Sequence, residues 1–257
     1  MSGRKVRLRQ IALVADKLEP HAGHLVQVLG LGKPFRDGNV GVFGLENVVL
    51  PVGGDFLEIV APIQDNTSAG RFLARRGGPG GYMVIVQTDD ANAERERITK
   101  QKVRAVWTID RPTYKATHFH PADTGGFLLS VDSTLPGADV TETLGPWQPA
   151  GPDWLSQVKQ KPVAAMTGCE LSAPDPKALA ELWSRLLDLP LRQGARGPEM
   201  DLACGGVIAF VPGRTAGIAA VRLKAADRAE VLKRAAAAGV PSGADSVTIC
   251  GVDFLLT

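Results

Sequence analysis

The sequence predicts an α+β protein built from tandem βαβββ modules. Three observations lead there. Short apolar runs bounded by Gly, Pro and Asp recur along the 257 residues, with single helical patterns set between groups of them. The order strand, helix, three strands occurs twice in the first half and returns in a shortened form in the second. Both halves also close alike: Thr124-Gly125-Gly126-Phe127-Leu128-Leu129-Ser130 and Gly251-Val252-Asp253-Phe254-Leu255-Leu256-Thr257 each end on Phe-Leu-Leu-hydroxyl, an internal-repeat signal. The expected division is an N-terminal domain of two modules over 1–132, a connector over 133–163 and a shortened C-terminal domain over 164–257.

The elements follow in order. Val6 to Ala15 reads as a strand, and Lys17 to Leu31 as a helix with Pro20 in its first turn. Leu25, Val26, Val28 and Leu29 give that helix its buried stripe, and Gly30 and Gly32 end it. Three strands are expected next: Asn39 to Phe43, Asn47 to Pro51, and the run Gly53-Gly54-Asp55-Phe56-Leu57-Glu58-Ile59-Val60-Ala61-Pro62. Thr67 to Arg76 is a short helix broken by Gly77-Gly78-Pro79-Gly80-Gly81. Tyr82 to Thr88 is a strand, and Asp89 and Asp90 open a helix through Lys102, acidic at the end where the dipole favours it. Val103 to Ile109, Ala116 to His120 and Gly126 to Asp132 complete the second module.

The connector carries Pro136, Pro146, Pro149, Pro152 and Pro162 with Trp147 and Trp154. It reads as a linker that packs; its tryptophans could cap a core or line a pocket mouth. Ala164 to Ala173 is then a strand and Asp175 to Leu187 a helix that buries Leu179, Leu182, Trp183, Leu186 and Leu187. Short strands run from Leu189 to Pro212. Gly217 to Leu223, a helix over Ala225 to Ala238 and a hairpin over Ser246 to Thr257 close the chain.

Composition excludes several classes. Apolar residues at 44% and charged residues at 22% describe a globular chain, and a net charge of +2 selects no partner. The basic start Arg4-Lys5-Val6-Arg7-Leu8-Arg9 has no long apolar segment behind it, so neither a signal peptide nor a membrane span is expected. It reads as a solvated lead-in to a strand rather than a nucleic-acid patch. Cys169, Cys204 and Cys250 are odd in number and widely spaced, which argues against a disulfide framework or a zinc site and for buried free thiols in a reducing cytoplasm. No G-x-S-x-G elbow and no G-x-G-x-x-G between strand and helix is present, which argues against an α/β-hydrolase or a Rossmann site. The Gly77–Gly81 run precedes a strand and lacks the Lys-Ser/Thr of a phosphate loop.

The chemistry centres on Glu58. It sits in a strand that is apolar on both faces, sharing one with Phe56 and Val60. An ionised carboxylate there needs water, a partner or a metal, because unpaired burial is costly. His118 and His120, two apart in a strand, face the same way and could act as acid/base or hold a metal; a structural hydrogen bond is the other reading. Arg76 and Tyr82 flank the Gly-rich turn, where a guanidinium and a phenol could hold a carboxylate or phosphate. His21 and His24 near a helix start suit surface or capping roles.

Four segments carry a family resemblance: Leu8-Arg9-Gln10-Ile11-Ala12-Leu13-Val14, Phe56 to Pro62, Gly80 to Asp90, and His118-Phe119-His120-Pro121-Ala122-Asp123-Thr124-Gly125-Gly126. Together with the modular order they make the chain resemble the vicinal oxygen chelate superfamily of glyoxalases, bleomycin-resistance proteins and dioxygenases. The last segment is close to that family's His-Pro-x-x-x-Gly-Gly. The resemblance implies glyoxalase-like domains in which paired modules curl their sheets into a cup around a small ligand. It implies a divalent metal held by one ligand from each of four strands, typically His, Glu, His and Glu. The matching positions are Gln10, Glu58, Met83 and Ser130, of which only Glu58 keeps the usual type. A thioether and a hydroxyl suit a hard cation poorly, so no intact metal site is expected; a metal, if present, would rest on Glu58 and Gln10. The second half matches at Gly168, Ala209 or Phe210, Ala219 and Thr257, none a useful ligand.

The expected function is action on a small oxygenated metabolite, in a metal-independent isomerase or lyase reaction with Glu58 as acid/base. Gln10 and His118 or His120 would orient the substrate, with Tyr82, Met83, Ser130 and Arg76 lining the site. The alternative is a non-catalytic protein that sequesters a small molecule, as the bleomycin-resistance members do. A metal-dependent dioxygenase comes third, since it needs histidines where Gln10 and Met83 stand. The expected partner is a small-molecule ligand, with neither nucleic acid nor membrane; a homodimer stays open.

Overall fold

The computed structural model describes residues 5–257; Arg4 of the basic start lies outside them. β1 is Val6–Val14 and α1 is His21–Leu29. Pro20 stands at the N-cap of α1 rather than inside its first turn, and Gly30, at φ 70°, ends the helix in the left-handed region. The stretch read as a strand from Asn39 is instead a 3-10 helix, Gly38–Phe43. The Asp37 carboxylate accepts the Asn39 N–H, and the Gly44 N–H is donated to the Gly41 carbonyl. Val40 and Phe43 stand three apart, the repeat of a 3-10 turn, and both pack on a cluster of Val14, Leu45, Val60 and Ala69. Local capping and a period of three outweigh the β-branched content.

The first module therefore continues with two strands, β2 Leu45–Val52 and β3 Asp55–Pro62. α2 is Ser68–Arg76, with the Thr67 hydroxyl accepting from the Gly70 N–H. The second module is complete: β4 Gly80–Thr88, α3 Ala91–Thr99, β5 Ala105–Arg111, β6 Tyr114–Phe119 and β7 Leu128–Ser133. After the connector come β8 Val163–Ala173, α4 Pro176–Leu187, β9 Arg192–Gln193, β10 Pro198–Asp201 and β11 Val207–Pro212. β12 Gly217–Ala225, α5 Arg228–Ala237, β13 Ser246–Ile249 and β14 Val252–Leu256 finish the chain.

The strands form two seven-stranded mixed sheets, ordered β2-β3-β1-β4-β7-β6-β5 and β13-β14-β12-β8-β11-β10-β9. The same plan recurs. The first strand of a module runs parallel to its last, as in β1 with β3, β4 with β7, β8 with β11 and β12 with β14. The strands in between return antiparallel. This is the tandem α+β architecture that the repeat predicted.

Two compact units can be described. One holds Gln10–Tyr82, Trp147–Thr167 and Ala220–Thr257. Its core carries Phe56, with Trp147 stacked on it at 6.2 Å and Trp154 edge-on at 5.0 Å. The connector tryptophans thus cap a core, and both are buried. The other unit holds Met83–Pro146, Gly168–Ala219 and the chain up to Arg9. Its core carries Trp183 of α4, edge-on to Phe127 and donating its indole N–H to the Thr124 carbonyl at 3.1 Å.

Two sequence expectations are corrected. Arg7 and Arg9 are buried rather than solvated. Their guanidinium groups donate to the carbonyls of Glu142, Thr143 and Gly145, so backbone acceptors take the place of water. Cys204 is exposed, whereas Cys169 and Cys250 are buried, and none of the three forms a disulfide among the described residues. Among the described residues, no helix is long and apolar enough to cross a membrane.

Candidate functional site

Strand register builds the site. Parallel pairing sets Gln10 beside Phe56 and Ala12 beside Glu58, so Gln10 and Glu58 project from the same face of β1 and β3. Antiparallel pairing sets Val49 opposite Glu58 and Asn47 opposite Val60, which brings Asn47 to that face from β2. The Gln10 Nε2 donates to Glu58 Oε2 at 2.8 Å, and the Asn47 Nδ2 donates to Glu58 Oε1 at 2.5 Å. Glu58 is 6% exposed.

The two amides are not free to turn. The Trp147 indole N–H donates to Gln10 Oε1 at 2.7 Å, and the Asp37 backbone N–H donates to Asn47 Oδ1 at 3.0 Å. Both of those groups are donors only, so each amide must turn its oxygen to them and its NH2 to Glu58. Both carboxylate oxygens therefore accept from amide N–H groups. Burial pushes the Glu58 carboxyl above its ordinary value, against the two amide hydrogen bonds, which pull it down; the Asp37 charge adds to the rise. The result is a buried carboxyl of raised basicity whose charged form still has two donors.

The same wiring decides the fit of the divalent metal that the resemblance implies. A cation at Glu58 would meet the hydrogens of two NH2 groups, and the Gln10 oxygen that could ligate it is already taken by Trp147. Ser130 spends its hydroxyl on Asp132, and Met83 offers a buried thioether. Among the described residues, no group of three or more His, Cys, Asp or Glu is placed to hold a metal. The donor set does not fit the ion.

The other predicted site residues fall as follows. Tyr82 lies in the same unit as Glu58 and packs edge-on to Phe72 at 5.2 Å. Its phenol is pushed up by burial, against the lowering charges of Arg71 and Arg75, while Glu58 adds to the rise. Arg76 donates to the carbonyls of Pro79 at 3.0 Å and Gly251 at 3.1 Å. Met83, Ser130, His118 and His120 belong to the other unit.

There the expected histidine pair separates. β6 ends at Phe119, and His120 caps the following 3-10 turn, its Nδ1 accepting from the Ala122 N–H at 3.1 Å. Pro121 forces this: it cannot continue the strand ladder, so the chain turns and the imidazole satisfies the turn instead. His118 stays in β6, paired with Ser130, its ring 4.5 Å from that of Trp107. Its surface is partly exposed, yet burial of the ring lowers its pKa to about 3, so it is neutral at ordinary pH.

Sequence reasoning missed Asn47, the Trp147 contact, and a second polar group in which Ser130 and Tyr114 both donate to buried Asp132. Asn47 could have been found, since it interrupts the apolar run of β2 much as Glu58 interrupts β3. In the second half, register flanks Ala209 with Glu170 and Glu199, each buried and paired with an arginine, Arg196 or Arg192. Gly168 cannot carry a ligand at all: a Cβ there would stand 2.1 Å from the Val207 carbonyl oxygen.

The fold has counterparts among known proteins. Among solved structures, a hypothetical protein from Staphylococcus aureus matches over 98% of this chain and 99% of its own, with TM-score 0.68 and 12% identity. The methylmalonyl-CoA epimerase from Mycobacterium tuberculosis matches at TM-score 0.47 and 22% identity, over 53% of this chain and 93% of its own. That from Streptomyces coelicolor matches at TM-score 0.46 and 19% identity, over 50% and 96%. No curated protein matches the chain. The family model of the glyoxalase-like domain matches residues 11–187. By that match over more than half its length, and by its doubled sheet plan, the chain belongs to the glyoxalase-like family.

Proposed function

We propose that this protein acts on a small oxygenated metabolite as a metal-independent isomerase or lyase, with Glu58 as the base. The observation that carries the reading is the buried Glu58 carboxyl, raised in basicity and held by two amides that are themselves pinned. A base works best when its pKa approaches the working pH, and burial moves a carboxyl in that direction. Glu58 would take the proton from a carbon next to a carbonyl. The C–H bond breaks, an O–H bond forms on Glu58, and the electron pair moves into an enolate. Return of the proton to the neighbouring carbon completes an isomerisation, whereas its return to the same face of the same carbon gives exchange with solvent alone. Gln10 and Asn47 hold the carboxyl plane during the transfer.

The test works without an identified substrate. A panel of small carbonyl compounds is incubated with the protein in D2O, and deuterium incorporation next to the carbonyl is read by NMR. The expected result is enzyme-dependent exchange that falls about 10²–10⁴-fold in Glu58→Gln, the usual span for one general base. A second reading, sequestration of a ligand, draws on the same buried Glu58 carboxylate as a hydrogen-bond acceptor for a cationic or hydroxylated molecule. It predicts saturable binding weakened by Glu58→Gln, with no exchange by the parent protein.

A further inference from the structure

The connector contributes to the Glu58 network through one atom, the indole nitrogen of Trp147. The residue is 2% exposed, and its ring stacks on Phe56 at 6.2 Å. Packing alone would be served by any aromatic ring. What the indole adds is a donor that cannot accept. Gln10, by contrast, can present either its oxygen or its NH2 to a neighbour. If its oxygen faced Glu58, two acceptors would oppose one another and only a protonated Glu58 could bridge them.

We propose that Trp147 is a positioning residue for Glu58: its N–H fixes the Gln10 amide so that an NH2 group, not an oxygen, faces the carboxylate. The Asp37 backbone N–H does the same for Asn47 on the other side. Glu58 is thereby kept an acceptor at both oxygens, the form a base requires. The connector so takes part in the site rather than only joining parts of the chain. The charged and titratable groups around the network are Asp37, whose charge acts on Glu58, and Tyr82, on which Arg71 and Arg75 act. None of these donates to Gln10 in place of the indole. The inference rests on the reading of Glu58 as a base for its importance, but not for its test.

The test uses Trp147→Phe, which keeps an aromatic ring on Phe56 and removes the N–H. Infrared spectra at neutral pH, with the Glu58 bands identified by subtracting the Glu58→Gln spectrum, report whether the side chain is carboxylate or acid. The parent is expected to show the carboxylate band. Trp147→Phe is expected to lose intensity there and gain the acid carbonyl band. In a Gln10→Met background the same substitution is expected to change nothing further, because the effect passes through the amide. An unchanged Glu58 band in Trp147→Phe overturns the proposal, as does a change of equal size in the Gln10→Met background.

Should Trp147→Phe fail to fold, the parent protein decides. The Trp147 indole ¹H–¹⁵N signal should move as Glu58 changes protonation state, and should stay still in Glu58→Gln. A signal indifferent to Glu58 overturns the proposal. These readings involve no substrate. Absent deuterium exchange with the expected bands present overturns the base reading alone, and exchange with an unchanged band overturns this inference alone.

Discussion

At the scale of single residues, most of the chemistry depends on which atom of a side chain faces which neighbour. Glu58 is held by amides whose orientation is set by an indole and a backbone N–H, neither adjacent in sequence. The run around Glu58 and its polar interruption of an apolar strand were legible from alternation alone. Its partners were only half read: Gln10 came by resemblance, while Asn47 went unread although it interrupts the apolar run of β2. Gly168 is a second case. Its φ of 154° lies where side chains are rarely tolerated, and the space for a Cβ is already held by the Val207 carbonyl. Gly168→Ala should destabilise the protein by about 1–3 kcal/mol, as forced overpacking does, read as a lower urea midpoint. An unchanged midpoint would mean that β8 and β11 can separate there without loss.

At the scale of elements, caps and periodicity explain both the agreements and the departures. α3, α4 and α5 each start on an aspartate, Asp90, Asp175 and Asp227, whose carboxylate accepts a backbone N–H of the first turn. The first two starts were visible in the sequence as Asp before a helical pattern; the third was read two residues early, from Ala225, because Ala225 and Ala226 are themselves good helix formers. Asp175→Ala should cost about 1 kcal/mol, seen as a proportionate fall in the denaturant midpoint with an unchanged slope; a neutral result would assign the helix start to Pro176 at its first position instead. Gly38–Phe43 departs from the expected strand because apolar residues in a glycine-bearing run satisfy a strand pattern as well as a 3-10 one. The cap at Asp37 and the left-handed Gly44 settle the choice. His120 departs for a similar reason: Pro121 ends the ladder one residue earlier than alternation suggests.

At the scale of the whole molecule, buried Glu58 and partly buried His118 act on stability in opposite directions. The folded carboxyl of Glu58 is raised above the ordinary 4.5. Its contribution is full below that value and is lost as pH rises through the folded one, because the native state then holds a proton the unfolded chain has released. The folded imidazole of His118 is lowered from 6.5 to about 3. Its contribution is present above 6.5 and is lost as pH falls toward 3, because the unfolded chain takes up a proton that the native ring refuses. Thermal unfolding followed between pH 3 and 7 should separate them. Glu58→Gln should make the loss of melting temperature on acidification steeper, and His118→Gln should make it shallower. Parallel curves for parent and variants would show that neither group has its folded proton affinity shifted in the stated direction.

The sequence by itself determined the class of fold, its doubled plan and the one carboxylate that interrupts the apolar run of β3. These follow from alternation, from turn residues and from repetition, which are local and do not depend on distant contacts. The tertiary structure decided what Glu58 touches, that the connector tryptophan orients its neighbour, that Arg7 and Arg9 are buried on carbonyls, and that the donor set does not fit a metal ion. Each of those depends on groups far apart in the chain, such as Trp147 and Gln10, which are 137 positions apart. Hydrogen-bond direction is a property of the pair, and no reading of either residue alone supplies it.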